Sequence, residues 1–318
     1  MDKTENKKIS IADFLRKYGI YVVLVLLVVI TPLFSDVFLR PANLINVLRQ
    51  ISINGILSVG MTMIIITAGI DLSVGACLGL VGHVVARTME YGVVLALTLG
   101  LVTGVLFGLL NGLLITKVAI PPFIATLGTQ VAGRSLVVVL TGGYPYVPVS
   151  NSFFRWIGAG YLGLFPIPVV ICAILFTVFI WVINKTRFGR YIYAIGSNEE
   201  ASQFSGVKVE NIRLMVYGIS GFLLAIGSIV LTSRLYSTGP LSGQGYETDA
   251  IAAAVIGGTS MMGGEGKLSR TIIGVLLLGV LSNVFNLLGI ASDYQGIFKG
   301  LIILTAVGID TYTKKYRN

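Results

Sequence analysis

The chain has 318 residues, 55% of them hydrophobic and only 12% charged, with a formal net charge of +9. A soluble domain of this size carries about twice that fraction of charge, and apolar runs of roughly 17–25 residues recur here, the length that spans a bilayer as a helix. A soluble all-α protein and a β-barrel are both disfavoured, the second because period-2 alternation is absent.

About ten spans are expected from these runs, their ends placed to within about 2–4 residues. The first covers Tyr18–Phe34, and its charged lead-in MDKTENKK and its length speak for a retained span rather than a cleaved signal peptide. The second covers Leu44–Thr67, the third Leu72–Thr88 and the fourth Val93–Ile115. The fifth opens at Pro121-Pro122, residues suited to a first helical turn, and closes near Leu140. A polar, aromatic, glycine-rich stretch, Gly142–Phe165, reads as an extramembrane loop with a partly interfacial segment. The sixth span is Ile167–Asn184. After the polar stretch Lys185–Asn211 come Ile212–Tyr236, a short eighth at Asp249–Met262 that is expected to be broken or tilted, Thr271–Leu288 and Gln295–Tyr312.

Orientation follows from Lys and Arg, which concentrate on the cytoplasmic side. An N-in, C-in arrangement places Lys3, Lys7, Lys8, Arg16 and Lys17 inside, together with Lys185, Arg187, Arg190, Lys208, Arg213, Lys267, Arg270, Lys314, Lys315 and Arg317. Arg40, Arg87 and Arg155 fall outside. The expected fold is therefore all-α and polytopic. Residues 1–17 form a cytoplasmic segment, 18–312 a transmembrane domain with a cytoplasmic loop at about 185–211, and 313–318 a cytoplasmic tail.

Gly100, Gly104, Gly108 and Gly112 recur every four residues and form one ridge on the fourth span, where a neighbouring backbone can approach closely. Gly75 and Gly79 offer the same on the third. Cys77 and Cys172 sit in apolar runs and imply neither disulfide nor metal site. His83 is the only histidine, which speaks against a catalytic metal centre.

Within Lys185–Asn211, Ser197-Asn198-Glu199-Glu200 reads as a capping box, Ser197 accepting from the Glu200 amide and Glu200 reaching back. Gly206 suits a left-handed cap six residues on. A helix of about two turns is expected there, either a solvated loop helix or a docking helix for a cytoplasmic partner. Asp71 is costly if it faces lipid; it serves either as a cap for the third helix, with Ser73, or as a solute contact, capping being favoured. Glu247, Thr248 and Asp249 precede a run of alanines, where acids suit the positive helix end; on this topology they lie on the outer side, near a receptor contact. Asn54, Thr67, Asn111, Thr126 and Asn283 are polar groups in apolar helices that either line a solute path or bond neighbouring helices. Arg134 and Lys299 are further charges within the runs, with no evident pairing.

Glu200-Ala201-Ser202-x-x-x-Gly206 resembles the EAA loop of ABC importer permeases, with serine in the third position, and the wider string AIGSNEEASQFSGV at Ala194–Val207 resembles that of the ribose-type permease family. GIDLSVG (Gly69–Gly75), IPPFIATLGT (Ile120–Thr129), DAIAAAVIGGTSMMGGEG (Asp249–Gly266), NLLGI (Asn286–Ile290) and AVGID (Ala306–Asp310) are similar to further motifs of that family, in its order and over most of the chain. The distal Leu-Pro of many other importer classes is absent. The resemblance implies a dimeric permease of about ten helices per subunit in a bacterial inner membrane, moving pentoses, hexoses or related sugar-like solutes. It implies cytoplasmic ATP-binding cassettes that hold ATP and Mg, an extracytoplasmic solute-binding protein, and a second permease subunit, identical or related. It also implies that Arg190, Ser197, Asn198, Glu199, Glu200, Ala201, Ser202 and Gly206 belong to the loop that meets the ATPase. Asn54, Thr67, Asp71, Ser73, Asn111, Thr126 and Asn283 remain the candidates for the pathway. No Walker A string occurs, so neither ATP nor another cofactor is assigned to this chain, and no nucleic acid partner or catalytic role is implied. Permeases for nucleosides or branched-chain amino acids are the nearest alternative. An ion-coupled secondary transporter is a more distant one, since no paired intramembrane charge is evident. An intramembrane enzyme fails on the lone histidine and on the absence of HExxH and GxSxG strings.

Overall fold

A computed structural model describes residues 11–315; the basic residues Lys3, Lys7, Lys8 and Arg317, and the start and end of the expected terminal segments, lie outside them. Thirteen α-helices are described: α1 Ile11–Ile30, α2 Pro41–Ile66, α3 Val74–Thr88, α4 Val93–Thr116, α5 Pro122–Thr141, α6 Ser152–Ala159, α7 Ile167–Lys185, α8 Arg187–Ser197, α9 Glu199–Phe204, α10 Val209–Leu235, α11 Tyr246–Ile256, α12 Leu268–Leu287 and α13 Ser292–Lys315. A two-stranded antiparallel hairpin, β1 Tyr161–Leu162 and β2 Phe165–Pro166, precedes α7.

Every expected span has a helical counterpart. By length and apolar character, however, six described helices are able to cross a membrane: α2, α4, α5, α7, α10 and α12. The third and eighth expected spans are shorter, α3 with 15 residues and α11 with 11. α11 stops because Gly257-Gly258 follows it, Gly258 in the left-handed region, and the chain crosses Thr259–Lys267 without a helix. The expected break in the eighth span is thus real. The first helix starts earlier than expected, at Ile11 rather than Tyr18.

α2 and α10 form the centre. Sixteen consecutive residues of α2, Ile51–Ile66, are all buried, and α10 runs beside it with Tyr217, Leu223, Leu224 and Val230 fully enclosed. α4, α5 and α7 form the outside, each with large apolar side chains exposed, such as Leu106, Val139 and Trp181. That is the pattern of a bundle whose solvent is hydrocarbon.

The α4 glycine ridge explains one side of this centre. Gly104, Gly108 and Gly112 lie against α10. A Cβ on Gly104 would stand 2.6 Å from both Ala225 Cβ and the Gly221 carbonyl, one on Gly108 would overlap the Tyr217 carbonyl, and one on Gly112 would press on Leu214. Gly100 faces Val85 of α3. Backbone meets backbone here, and dispersion replaces the hydrophobic force that lipid cannot supply. Gly75 and Gly79 of α3 serve a different purpose. They accept the segment Gly239–Gly245, which turns inward after α10 and lays the Gly243 and Ser242 carbonyls on α3.

The two ends of the bundle differ. At one end the α2–α3 and α4–α5 connections, α8, α9 and the Gly257–Lys267 segment gather. At the other, α6 meets the end of α10, Gly158 N donating to Ser233 Oγ at 2.8 Å, and the segment before α6 meets the one after α10, Tyr146 and Thr238 exchanging backbone hydrogen bonds. The expected loop Gly142–Phe165 is at this second end and holds an amphipathic helix, α6, with Phe153 and Trp156 exposed and Phe154 buried.

Candidate functional site

The stretch Lys185–Asn211 holds two helices rather than one. Thr186 caps α8, its hydroxyl accepting from Gly189 N, and α8 buries Gly189, Ile192 and Ile195. This i, i+3, i+6 stripe is the sequence signal of α8, and it lies upstream of the capping box. The box itself is displaced by one residue. Ser197 is the last residue of α8, its Oγ donating to the Tyr193 carbonyl at 2.9 Å. Asn198 is extended (φ −160°, ψ 106°) and caps α9, its Oδ1 accepting from Ala201 N at 2.9 Å. The reason is competition: a serine in a helix's last turn satisfies itself on the carbonyl four residues back, which leaves the break to the asparagine. Glu200 is exposed and does not close a box. The C-terminal signal holds, since Gly206 is left-handed (φ 83°) and Val207 N reaches back to the Ser202 carbonyl at 3.1 Å.

α9 is fastened to the bundle directly through Glu199, and indirectly through Arg213 and the end of α8. Glu199 takes two hydrogen bonds from Arg213 at the start of α10, at 2.6 and 2.7 Å. Arg213 also reaches the Thr67 carbonyl at the end of α2, at 3.5 Å. Behind α9, Gly196 and Gly264 bring three backbones together. Gly264 N donates to the Ile66 carbonyl at 2.9 Å, a Cβ on Gly196 would strike that same carbonyl, and one on Gly264 would strike Ser197. Tyr193 adds a 2.7 Å hydrogen bond to the Gly266 carbonyl; burial pushes its phenol pKa up. The string GTSMMGGEG is therefore the bracket on which α8 rests, just ahead of α9. In front of α9 lies a recess of about 880 Å³ bordered by Ala68, the Thr116–Pro122 connection, Gln203 and the start of α10. Phe204, at the free end of α9, is 91% exposed. Arg190 is also exposed, on α8.

Of the polar residues expected along a path, four are brought together. Asp71 follows the left-handed Ala68 and accepts from Ser73 N at 2.8 Å and Ser73 Oγ at 2.5 Å, three residues before α3 begins. Asn111 of α4 donates to Ser73 Oγ at 2.8 Å and accepts from Thr129 of α5 at 2.7 Å. Thr126 donates to Pro122 O at 2.8 Å and, at 3.4 Å, to Ile70 O, which Tyr217 OH of α10 also reaches at 3.1 Å. Asp71, Ser73, Asn111 and Thr126 are all buried. This is a cross-brace that ties α4, α5 and α10 to the GIDLSVG turn; Asp71 holds the N–H and hydroxyl of Ser73, the residue before α3, rather than capping the helix itself. Thr129 and Tyr217 complete it and were not singled out in the sequence.

The other candidates lie elsewhere. Thr67 ends α2, its hydroxyl turned back to Ile64 O. Asn283 of α12 exchanges two amide hydrogen bonds with Asn43 of α2, at 2.8 and 3.1 Å, and so bonds neighbouring helices. Asn54 donates to Asp249 of α11 at 3.4 Å, and Asp249 is held by Lys299 of α13 at 2.8 and 3.0 Å. The lack of an evident partner for Lys299 is thereby corrected; the two charges stand 50 residues apart, beyond any helical spacing. Arg134 has partners too: Nη1 donates to the Pro240 and Ser242 carbonyls at 2.9 and 2.8 Å and clasps the inward-turning segment. Glu247 is buried at the first turn of α11 and accepts from Gly245 N at 3.3 Å, so it serves the helix end rather than an exposed contact.

Comparison with known proteins agrees with the family resemblance. The family model described as branched-chain amino acid transport system / permease component matches residues 43–307. The chain is 47% identical over 311 residues to the ribose import permease protein RbsC of Bacillus subtilis (strain 168), covering 97% of each. It is 42% identical over 322 residues to the protein of the same name from Haemophilus influenzae, covering 99% of this chain and 100% of that one. To the D-allose transport system permease protein AlsC of Escherichia coli (strain K12) it is 35% identical over 318 residues, covering 99% and 97%. No solved structure matches the chain significantly. A family match over most of its length, and the full-length likeness to these proteins, make the chain a member of the ABC transporter permease family to which the ribose import permeases belong.

Proposed function

We propose that this chain is the membrane-spanning subunit of an ATP-driven ABC importer that carries a monosaccharide, a pentose of the ribose class foremost. The observation that carries this reading is the short helix α9, tied at Glu199 to α10 and joined through the end of α8 to α2 and the Gly257–Lys267 segment, with Phe204 exposed at its far end. A helix held this way is built to receive a push from a partner and pass it to the central helices. The partner is a cytoplasmic ATP-binding cassette that binds ATP and Mg, so this chain is a non-catalytic transport subunit. An extracytoplasmic solute-binding protein delivers the sugar, and a second permease subunit completes the pathway in a bacterial inner membrane.

The shorter helices are read as spans in this setting. α3 and α11 are half-length helices completed by the GIDLSVG turn and the Gly239–Gly245 and Gly257–Lys267 segments, since irregular backbone is tolerated at membrane depth where protein covers it. Ten membrane-embedded helices with both termini in the cytoplasm follow, with α8 and α9 on the cytoplasmic side. Nucleosides or branched-chain amino acids are the alternative cargo. Names of full-length relatives favour a sugar over them.

The test is reconstitution. The permease is purified with its cassette subunit, placed in vesicles, and supplied with sugar-loaded receptor. ATP-dependent uptake of a pentose is expected. Uptake of leucine or a nucleoside but no sugar would overturn the assignment. Cysteines placed at Ser205 and Leu164, in a chain lacking Cys77 and Cys172, should label from opposite sides of the membrane.

A further inference from the structure

Among the described ion pairs, Asp249–Lys299 is the most withdrawn, with side-chain exposures of 16% and 22%; the other three each keep one partner more than a third exposed. It joins α11 to α13, and Asn54 of α2 leans on it at 3.4 Å. Asn54 stands at the middle of α2, a helix long enough to span. One turn along each of the three helices, in one direction, the packing is apolar, with Ile51, Ala252, Ala253 and Ile303 in one cluster. Three polar groups therefore stand at the border of an apolar layer.

For fastening helices, apolar side chains of similar volume would hold as well, because a withdrawn ion pair repays little of its desolvation cost. Ionisable groups kept in a membrane span mark pathways more often than packing. Two further features point away from a sealed tether. The Asn54–Asp249 contact is long for a hydrogen bond, and Asn54 Oδ1 is buried with no partner. Neither charge is fully enclosed. The set offers an ammonium, a carboxylate and an amide, donors and acceptors together with no net charge.

We propose that Asn54, Asp249 and Lys299 form a contact station at which a polyhydroxylated solute exchanges hydrogen bonds as it crosses. A sugar presents adjacent hydroxyls, each both donor and acceptor. One hydroxyl can donate to the Asp249 carboxylate while its neighbour accepts from Lys299, and Asn54 Oδ1 gains the donor it lacks. The pair re-forms when the solute leaves, so the station lowers the cost of passage without holding the sugar. This inference rests on the sugar-permease reading.

The experiment uses the complete permease–cassette complex in vesicles with saturating receptor, and compares uptake of a pentose with that of its analogue lacking one ring hydroxyl. The variants are Asp249→Asn, Lys299→Arg, which keeps the charge and moves the donors, and Asn54→Ser. The ratio of the two uptake rates should shift by about threefold or more in at least one variant, the scale of one lost hydrogen bond. An equal fall for both sugars would make the pair a plain tether and overturn the station, as would rates unchanged for both. If Asp249→Asn fails to assemble, the decision rests on Lys299→Arg and Asn54→Ser. Failure of the parent complex to carry any sugar would instead refute the underlying reading.

Discussion

Arg213 grips Glu199 with both ends of its guanidinium, Nη1 to Oε1 at 2.6 Å and Nη2 to Oε2 at 2.7 Å, and so fixes the first turn of α9 to the first turns of α10. Glu199 is nearly half exposed and Arg213 about one-fifth. Such a pair contributes little to stability, about 1 kcal/mol at most, yet its two-pronged geometry sets direction.

From this pair, Arg213→Ala and Glu199→Gln are expected to leave detergent thermal stability nearly unchanged while lowering solute-stimulated ATPase of the assembled complex severalfold. The exchanged double variant Glu199→Arg with Arg213→Glu should recover part of the loss. A stability loss matching the activity loss would reduce the pair to a structural contact.

Phe204 supplies a second test. A side chain of its size, 91% exposed at the tip of α9, fits the role of an aromatic anchor seated in a partner's pocket. Phe204→Ala should weaken capture of the cassette subunit about tenfold or more, with insertion and melting temperature as in the parent. Capture at parental affinity would move the anchor elsewhere on α8 or α9.

The α4 ridge gives a stability prediction with an internal control. Gly108→Leu must push α4 and α10 apart, because the space beside it is filled by the Tyr217 carbonyl and Gly221. Overpacking of this kind costs about 1–3 kcal/mol. Gly128 lies in helix α5 with open space beside it, so Gly128→Ala should be neutral or slightly stabilising. Equal melting temperatures for the two variants would refute the packing assigned to the ridge.

The cross-brace beneath the GIDLSVG turn should respond to loss of a single hydroxyl. Ser73→Ala removes a donor to Asp71 and an acceptor for Asn111 at once. Leaving buried polar groups unpaired costs about 1–3 kcal/mol each, so a clear fall in detergent melting temperature is expected. Ser73→Thr, which retains the hydroxyl, should fall less.

What could be read from the sequence was whatever repeats along one helix. The α4 glycines, the bounds of α2, α4, α7 and α12, and the Gly206 cap all follow from spacing within a few turns. The Asp71–Ser73 pairing was within reach of the sequence because the two are two residues apart, although Asp71 bonds the residue before α3 instead of capping the helix. Asp249–Lys299, Asn43–Asn283 and Glu199–Arg213 were not, since each joins residues whose separation carries no helical signal. The move of the α9 cap from Ser197 to Asn198 turned on whether a serine spends its hydroxyl forward or backward, and both choices are open to the same four letters. The inward turn of Gly239–Gly245 was hidden for another reason: Gly, Pro and Ser mark a loop, and composition does not say whether a loop lies over the bundle or within it.

The hydrogen bond from Gly264 N to the Ile66 carbonyl bears on how the chain is made. The last carbonyls of a helix have no partner within it, and that of Ile66 at the end of α2 waits for an amide that leaves the ribosome only after α3 to α11 have been built. Until then the central helix is present but unfinished at the end where α9 will be seated. A nascent chain stalled before residue 264 should hold its outer spans in place and still leave that end open to protease, and the closing of this bond would be among the last steps of biogenesis.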